Sequence, residues 1–356
     1  MGRAAGLVPG LQIEALIHGL NKSGGCVQSP LFQEEILMQA PVLSARMGLL
    51  FLAGYLLFGT LRAEPANPAI PGVLAAGTPV QLIQEGFKGT EGPVALPDGS
   101  VIFTETQASR ITRIAADGSV STFLDNSNGS NGLGFNRQGE LLSVQTVKPQ
   151  VGVIYPPGRE RVLVAEFEGQ PLARPNDLVV DHQGGAYFTD PGANPVAGQT
   201  PAKPAVYHVS ADGRVRRLID DVERPNGIQL SPDEKVLYLA NTRGEYVLAY
   251  DVGADGSLGK RRDFAHLSGW SKGENGSYAS GADGLAVDAE GRLYVASNAG
   301  VEVFSPTRQA LGIIALPKKP QNLAFAGIDK KTLYVVGRGA AYRIALLTPG
   351  FAGRAK

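Results

Sequence analysis

The sequence predicts an all-β chain folded as a six-bladed β-propeller. Two features carry that prediction: short aromatic and β-branched runs between turn residues, and six internal segments that repeat one hairpin pattern. Glycine occurs 46 times and proline 24 times in 356 residues, high for a helical protein. Lys plus Arg number 33 and Asp plus Glu also 33, so the formal net charge is zero. No basic stripe is present, which argues against a nucleic-acid partner.

The segment ahead of the repeats reads separately. Residues 48–61, GLLFLAGYLLFGTL, are apolar and uncharged, with Arg46 before them and Leu61-Arg62-Ala63 after them. A positive flank, a short apolar stretch and a small residue at a cleavage point fit a secretory signal. A membrane span needs about 20 apolar residues. Residues 47–63 are therefore expected to be a signal peptide directing a periplasmic or secreted protein. A retained single-pass anchor is the alternative, and the one route to a membrane. Residues 1–46 lack a clear pattern, and Met38 or Met47 could serve as the start, so they read as an over-called start or extension. Residues 64–77 read as a linker, 78–350 as the propeller and 351–356 as a tail. The single cysteine, Cys26, rules out an intrachain disulfide.

The six repeats begin at Glu91, Asn131, Asn176, Asn226, Asp283 and Gln321. Two positions on stands Pro93, Leu133, Leu178, Ile228, Leu285 or Leu323. Gly99, Gly139, Gly184 and Gly291 mark the turn at position eight, Glu234 takes that place in the fourth, and the sixth carries a short insertion. A second apolar run follows, so each segment is a hairpin. The stretches between repeats form further hairpins, with turns such as Asp117-Gly118 and Asp212-Gly213. Repeat spacings of 38 to 57 residues suit one four-stranded blade each. Closing the ring removes most exposed sheet edges, and the strand at 79–84 is expected to close it beside 340–346. A two-sheet sandwich would not explain six similar units.

In a propeller, equivalent positions of the innermost strands form a ring at one mouth of the axial channel. All six repeat-start residues carry a side-chain oxygen, two are carboxylates, and none is His or Cys. Such a ring suits a hard divalent cation, Ca²⁺ first, with Mg²⁺, Mn²⁺ or Zn²⁺ as alternatives. Turn preference explains an Asn or Asp before a strand, but not Glu91 or Gln321 in the same column.

These residues resemble the gluconolactonase and regucalcin family of six-bladed propellers. The similarity rests on Glu91-Gly92-Pro93, Ser130-Asn131-Gly132-Leu133, Arg174-Pro175-Asn176-Asp177, Arg224-Pro225-Asn226-Gly227 and Ala282-Asp283-Gly284. Tyr187-Phe188-Thr189-Asp190-Pro191, Leu323-Ala324-Phe325 and Leu333-Tyr334 add to it, and it spans roughly residues 78–350. The resemblance implies a divalent metal held by Glu91, Asn226 and Asp283. It implies that Asn176 is a fourth ligand or a substrate contact, and that Asp283 is the acid/base. The implied reaction is hydrolysis of a small-molecule substrate, a sugar lactone. Another ester or phosphotriester is the enzymatic alternative, and a ligand-binding propeller with a structural ion the non-enzymatic one.

In this reading a cation stabilises charge growing on the carbonyl oxygen. Asp283 accepts a proton from water or attacks the carbonyl directly. Asn131 and Arg174 are expected to orient substrate hydroxyls. Asn131 could instead cap a turn, and Arg174 could pair with a surface carboxylate. The connection from His266 to Asp283 carries the only tryptophan, Trp270, and reads either as a lid, with Trp270 and Tyr278 stacking on a sugar, or as a disordered loop. Gly269-Trp270-Ser271-Lys272-Gly273 matches a nucleophile motif, but that motif needs a following helix. His182, His208 and His266 read as surface or packing residues, and Asp190 as a turn residue.

Overall fold

A computed structural model of the chain describes residues 67–192 and 202–356. The expected start segment 1–46 and signal segment 47–63 lie outside the described residues. The described chain forms six four-stranded antiparallel sheets, with two small two-stranded hairpins in the connections. The one helical element among the described residues is a single 3₁₀ turn, Thr106–Ala108. No helix among them is long and apolar enough to cross a membrane.

Five blades are meanders whose strands pair in chain order. The sixth combines Asn322–Ala326, Thr332–Gly337 and Ala340–Ala345 with the early strand Gln81–Glu85. That strand pairs from Gln81 with Arg343 to Glu85 with Ala340, which closes the ring as expected. The innermost strands are Thr90–Ala95, Ser130–Phe135, Leu178–Val180, Pro225–Leu230, Leu285–Val287 and Asn322–Ala326. Each touches the innermost strands of the blades before and after it, and the sixth touches the first.

The core follows from strand periodicity. Alternate residues of each blade face opposite neighbours, so six apolar clusters fill the six gaps between blades. Val94, Ile102 and Ile111 meet Leu133 and Leu141 of the second blade, whereas Ala95, Val101 and Phe103 meet Tyr334 and Val336 of the sixth. Leu293 and Val295 pack on the fourth blade while Tyr294 and Ala296 pack on the sixth. A one-residue slip of register would expose an entire face.

The segments flanking the propeller are packed as well. Residues 67–77, expected as linker, are docked: Ile70, Val73 and Leu74 are buried in the cluster between the fifth and sixth blades. Asn67 exchanges side-chain hydrogen bonds with the backbone of Ala315, and Thr348 donates to the Gly72 carbonyl. The apolar side chains explain this, since a solvated linker would leave them in water. The tail 351–356 is also structured and enters the channel. At the turns, Gly99, Gly139, Gly184 and Gly291 take positive φ, and so does Glu234, at 56°. The Glu234 carboxylate holds Arg354 of the tail and His182, which offsets the strain of a left-handed non-glycine residue.

Candidate metal centre

All six repeat-start residues stand around one mouth of the channel. The contacts run round the circle. A Cβ on Gly92 would lie 2.0 Å from the Asn131 carbonyl oxygen. Gly132 N–H donates to the Asn176 carbonyl at 2.9 Å. Asn176 N–H donates to Thr189, whose hydroxyl donates to the Asn226 carbonyl at 2.8 Å. A Cβ on Gly227 would lie 2.0 Å from the Asp283 carbonyl oxygen. Gly284 N–H donates to the Gln321 carbonyl at 2.8 Å, and Gln321 Nε2 donates to Glu91 Oε1 at 3.1 Å.

Local irregularities aim these side chains. The ladder slips between Glu91 and Val94, between Ser130 and Leu133, and between Pro225 and Ile228. Such bulges turn a side chain away from the regular pleat. In the third and fifth blades the strand begins only after the key residue. Asn176 and Asp283 are held there by N–H bonds to the carbonyls of Thr189 and Ala296.

The donor chemistry fits a hard cation. Asn226 Nδ2 donates to Thr242 Oγ1 at 2.9 Å, while Asn226 Oδ1 is buried without a partner. Asn131 Oδ1 is likewise buried and unpartnered. An unpaired buried amide oxygen costs free energy, and a cation would recover it. Glu91 accepts from Gln321 and from Asn322 Nδ2 at 3.3 Å, so Gln321 braces a candidate ligand. Burial, then the neighbouring Asp177, raises the Glu91 carboxyl from 4.5 to about 7. Burial, then Glu91, raises Asp283 well above the usual carboxylate range. Glu91 thus hinders ionisation of Asp283, and such a crowding of buried carboxyls suits a bound positive charge. Among the described residues no three of His, Cys, Asp and Glu gather as a metal cluster. Asn oxygens would have to complete any coordination shell, which favours Ca²⁺ over Zn²⁺.

The raised Glu91 sets a pH test. Its folded-state pKa of about 7 lies above its ordinary 4.5. Its contribution to stability is therefore full below about pH 4.5 and is lost as pH rises through about 7. Chelated protein is expected to melt at lower temperature as pH rises across that window, and added Ca²⁺ to reverse the loss. Differential scanning calorimetry at several pH values checks both.

Arg174 is half-buried, and its N–H donates to Asp190 Oδ1 at 3.0 Å. The alternative for its side chain, an ion pair with a surface carboxylate, is not seen among the described residues; its charge acts on the buried Asp190. Asp190 also accepts from the N–H groups of Ala173 and Gly192, a backbone clamp. Two positions before each ring residue, the third, fourth and sixth blades carry Arg174, Arg224 and Lys319. Burial lowers the pKa of Arg224, and Arg174 nearby lowers it further. Burial lowers that of Lys319, which Asp283 opposes. Sequence reasoning missed Arg224 and Lys319, though reading the repeat column two residues upstream would have found them. It also missed Asn322 and Asp177, which stand one position after the ring where the other four blades have glycine.

The connection from His266 to Asp283 is ordered. Glu302 accepts from the N–H groups of Ser268 and Gly269, and a short hairpin pairs Ser271–Lys272 with Tyr278–Ala279. Trp270 and Tyr278 have ring centroids 5.6 Å apart. No helix follows Ser271. His208 bonds Asp181 and His266 bonds Glu245, each at 2.8 Å.

The family model described as SMP-30/Gluconolactonase/LRE-like region matches residues 89–338, which contain the whole ring. The chain belongs to this family. A gluconolactonase from Zymomonas mobilis is 27% identical to this family member over 307 residues, covering 80% of this chain and 86% of that protein. The solved structure of a gluconolactonase from Xanthomonas campestris superposes with TM-score 0.67 at 26% identity, covering 80% of this chain and 99% of that one. A calcium-binding regucalcin from Agrobacterium tumefaciens superposes with TM-score 0.63 at 21% identity, covering 77% and 95%, and bears on the fold alone.

Proposed function

We propose that this protein hydrolyses a sugar lactone with one divalent cation, Ca²⁺, held by Glu91, Asn176, Asn226 and Asp283. The observation that carries this reading is the donor set at the mouth. Two buried carboxyls of raised pKa, Glu91 and Asp283, share the ring with the Asn226 oxygen, which is buried and unpartnered. The gluconolactonase names of relatives covering most of both chains support the substrate class.

A bound cation would polarise the lactone carbonyl and favour ionisation of water. Asp283 takes the proton from the attacking water and returns it to the ring oxygen that leaves as a hydroxyl. One C–O bond forms, one breaks, and the product is a hydroxy acid. A carboxylate on a cation is a weak base, so Asp283 acts as much by ligation as by proton transfer. Asn131 Oδ1, without a protein partner, accepts a hydrogen bond from a substrate hydroxyl. Arg174, Arg224 and Lys319 attract the carboxylate that hydrolysis creates; among the described residues none of the three forms an ion pair. The signal reading of residues 47–63 would put this activity in the periplasm or outside the cell.

The test is a lactone panel, glucono-δ-lactone included, assayed with chelator and with added Ca²⁺. Turnover of at least one lactone is expected, lost on chelation and restored by the cation. No turnover of any lactone in Ca²⁺ would reject the reading.

A further inference from the structure

The tail enters the channel from the mouth opposite the ring and reaches the ring's underside. Phe351 N–H donates to Val287 of the fifth blade, and Gly350 N–H to Lys330 of the sixth. The Arg354 guanidinium donates to the Leu230 and Ser231 carbonyls of the fourth, each at 2.7 Å, and pairs with Glu234. The Ala355 carbonyl accepts from Ala95 N–H of the first at 2.7 Å. Phe351 to Ala355 line a cavity of about 950 Å³ at this far mouth. Lys356 lies deeper, beside Leu133 and Leu178. Its Nζ donates to Asp177 Oδ2 at 2.6 Å, with the Lys356 side chain 5% exposed and that of Asp177 1%.

Asp177 directly follows Asn176, and a Cβ on Gly132 would lie 2.6 Å from Asp177 Oδ1. Its carboxylate therefore forms a tier beneath the ring. Three acidic side chains, Glu91, Asp283 and Asp177, then share one buried region. A buried unpaired charge is costly, and the Lys356 ammonium cancels that of Asp177. Glu91 and Asp283 remain as the acidic side chains of the ring itself.

We propose that residues 351–356 plug the axial channel and that Lys356 is a positioning residue, its pairing with Asp177 trimming the acidic charge that a divalent cation at the ring has to match. The charge-matching part rests on the proposed metal site; the plug does not.

The test compares wild type, Lys356→Met, and the double variant Asp177→Asn/Lys356→Met, each as the full chain. Thermal melting in chelator reports the plug. Lys356→Met is expected to melt several degrees lower, because Asp177 is left unpaired, and the double variant to recover most of the loss. Equal melting of wild type and Lys356→Met in chelator would overturn the plug. Calorimetric Ca²⁺ titration reports charge matching. Lys356→Met is expected to bind Ca²⁺ on the order of tenfold more tightly, since a positive charge has gone from beneath the ion. The double variant is expected to return to the wild-type value. Unchanged affinity in Lys356→Met would overturn the matching, as would a wild type that binds no divalent cation. In that last case the metal reading fails too, while the chelator melts still decide the plug.

Discussion

Asp283→Ala is expected to lower lactone turnover by about 10³-fold or more, without lowering the stability of the chelated protein. The loss combines a cation ligand and a proton acceptor, and general acid/base groups alone contribute about 10²–10⁴-fold. The stability result follows from the electrostatics. The neighbouring Glu91 raises the Asp283 pKa, so removing the Asp283 carboxyl relieves repulsion. The backbone stays anchored through Asp283 N–H to Ala296 and Gly284 N–H to Gln321, neither of which uses the side chain. Chelated Asp283→Ala should therefore melt no lower than chelated wild type, and Ca²⁺ should no longer raise its Tm. A variant that kept the wild-type rate would remove Asp283 from the chemistry. One that unfolded in chelator would contradict the repulsion argument.

Gly227→Ala is expected to damage fold and site together. Its Cβ would lie 2.0 Å from the Asp283 carbonyl oxygen and 2.9 Å from Gly284 Cα, all backbone that cannot swing aside. Overpacking costs about 1–3 kcal/mol, sometimes more. For a domain of this size the expected fall in Tm is on the order of 5 °C or more. Relief requires Asp283 to move off the ring, so Ca²⁺ affinity and turnover should fall with it. Gly139→Ala is the contrast. Gly139 has φ +73° but open space around its added Cβ, so the cost is backbone strain of about 1 kcal/mol. Wild-type Ca²⁺ affinity is expected there. Melting curves and Ca²⁺ titration of the two variants separate crowding at the ring from strain at a turn.

Much of this was legible in the chain. Hairpin repeats report local geometry, and six of them in register report a closed ring. The column Glu91, Asn131, Asn176, Asn226, Asp283 and Gln321 could be read because propeller symmetry turns a sequence position into a place in space. The docking of Ile70, Val73 and Leu74 was not legible, because a short apolar run beside prolines looks the same whether solvated or covered. Nor was the division of labour within the ring. Gln321 and Asn226 carry the same functional group, yet Gln321 donates to Glu91 while Asn226 keeps its oxygen free.

By itself the sequence determined the repeat, its six-fold count and the oxygen-bearing column, because strand alternation and turn chemistry act over a few residues. Only the tertiary structure decided which of those oxygens lack partners, which carboxyl raises the pKa of another, and that Lys356 pairs with Asp177. Those outcomes depend on contacts between residues distant along the chain and on the burial that surrounds them, and no local pattern encodes either.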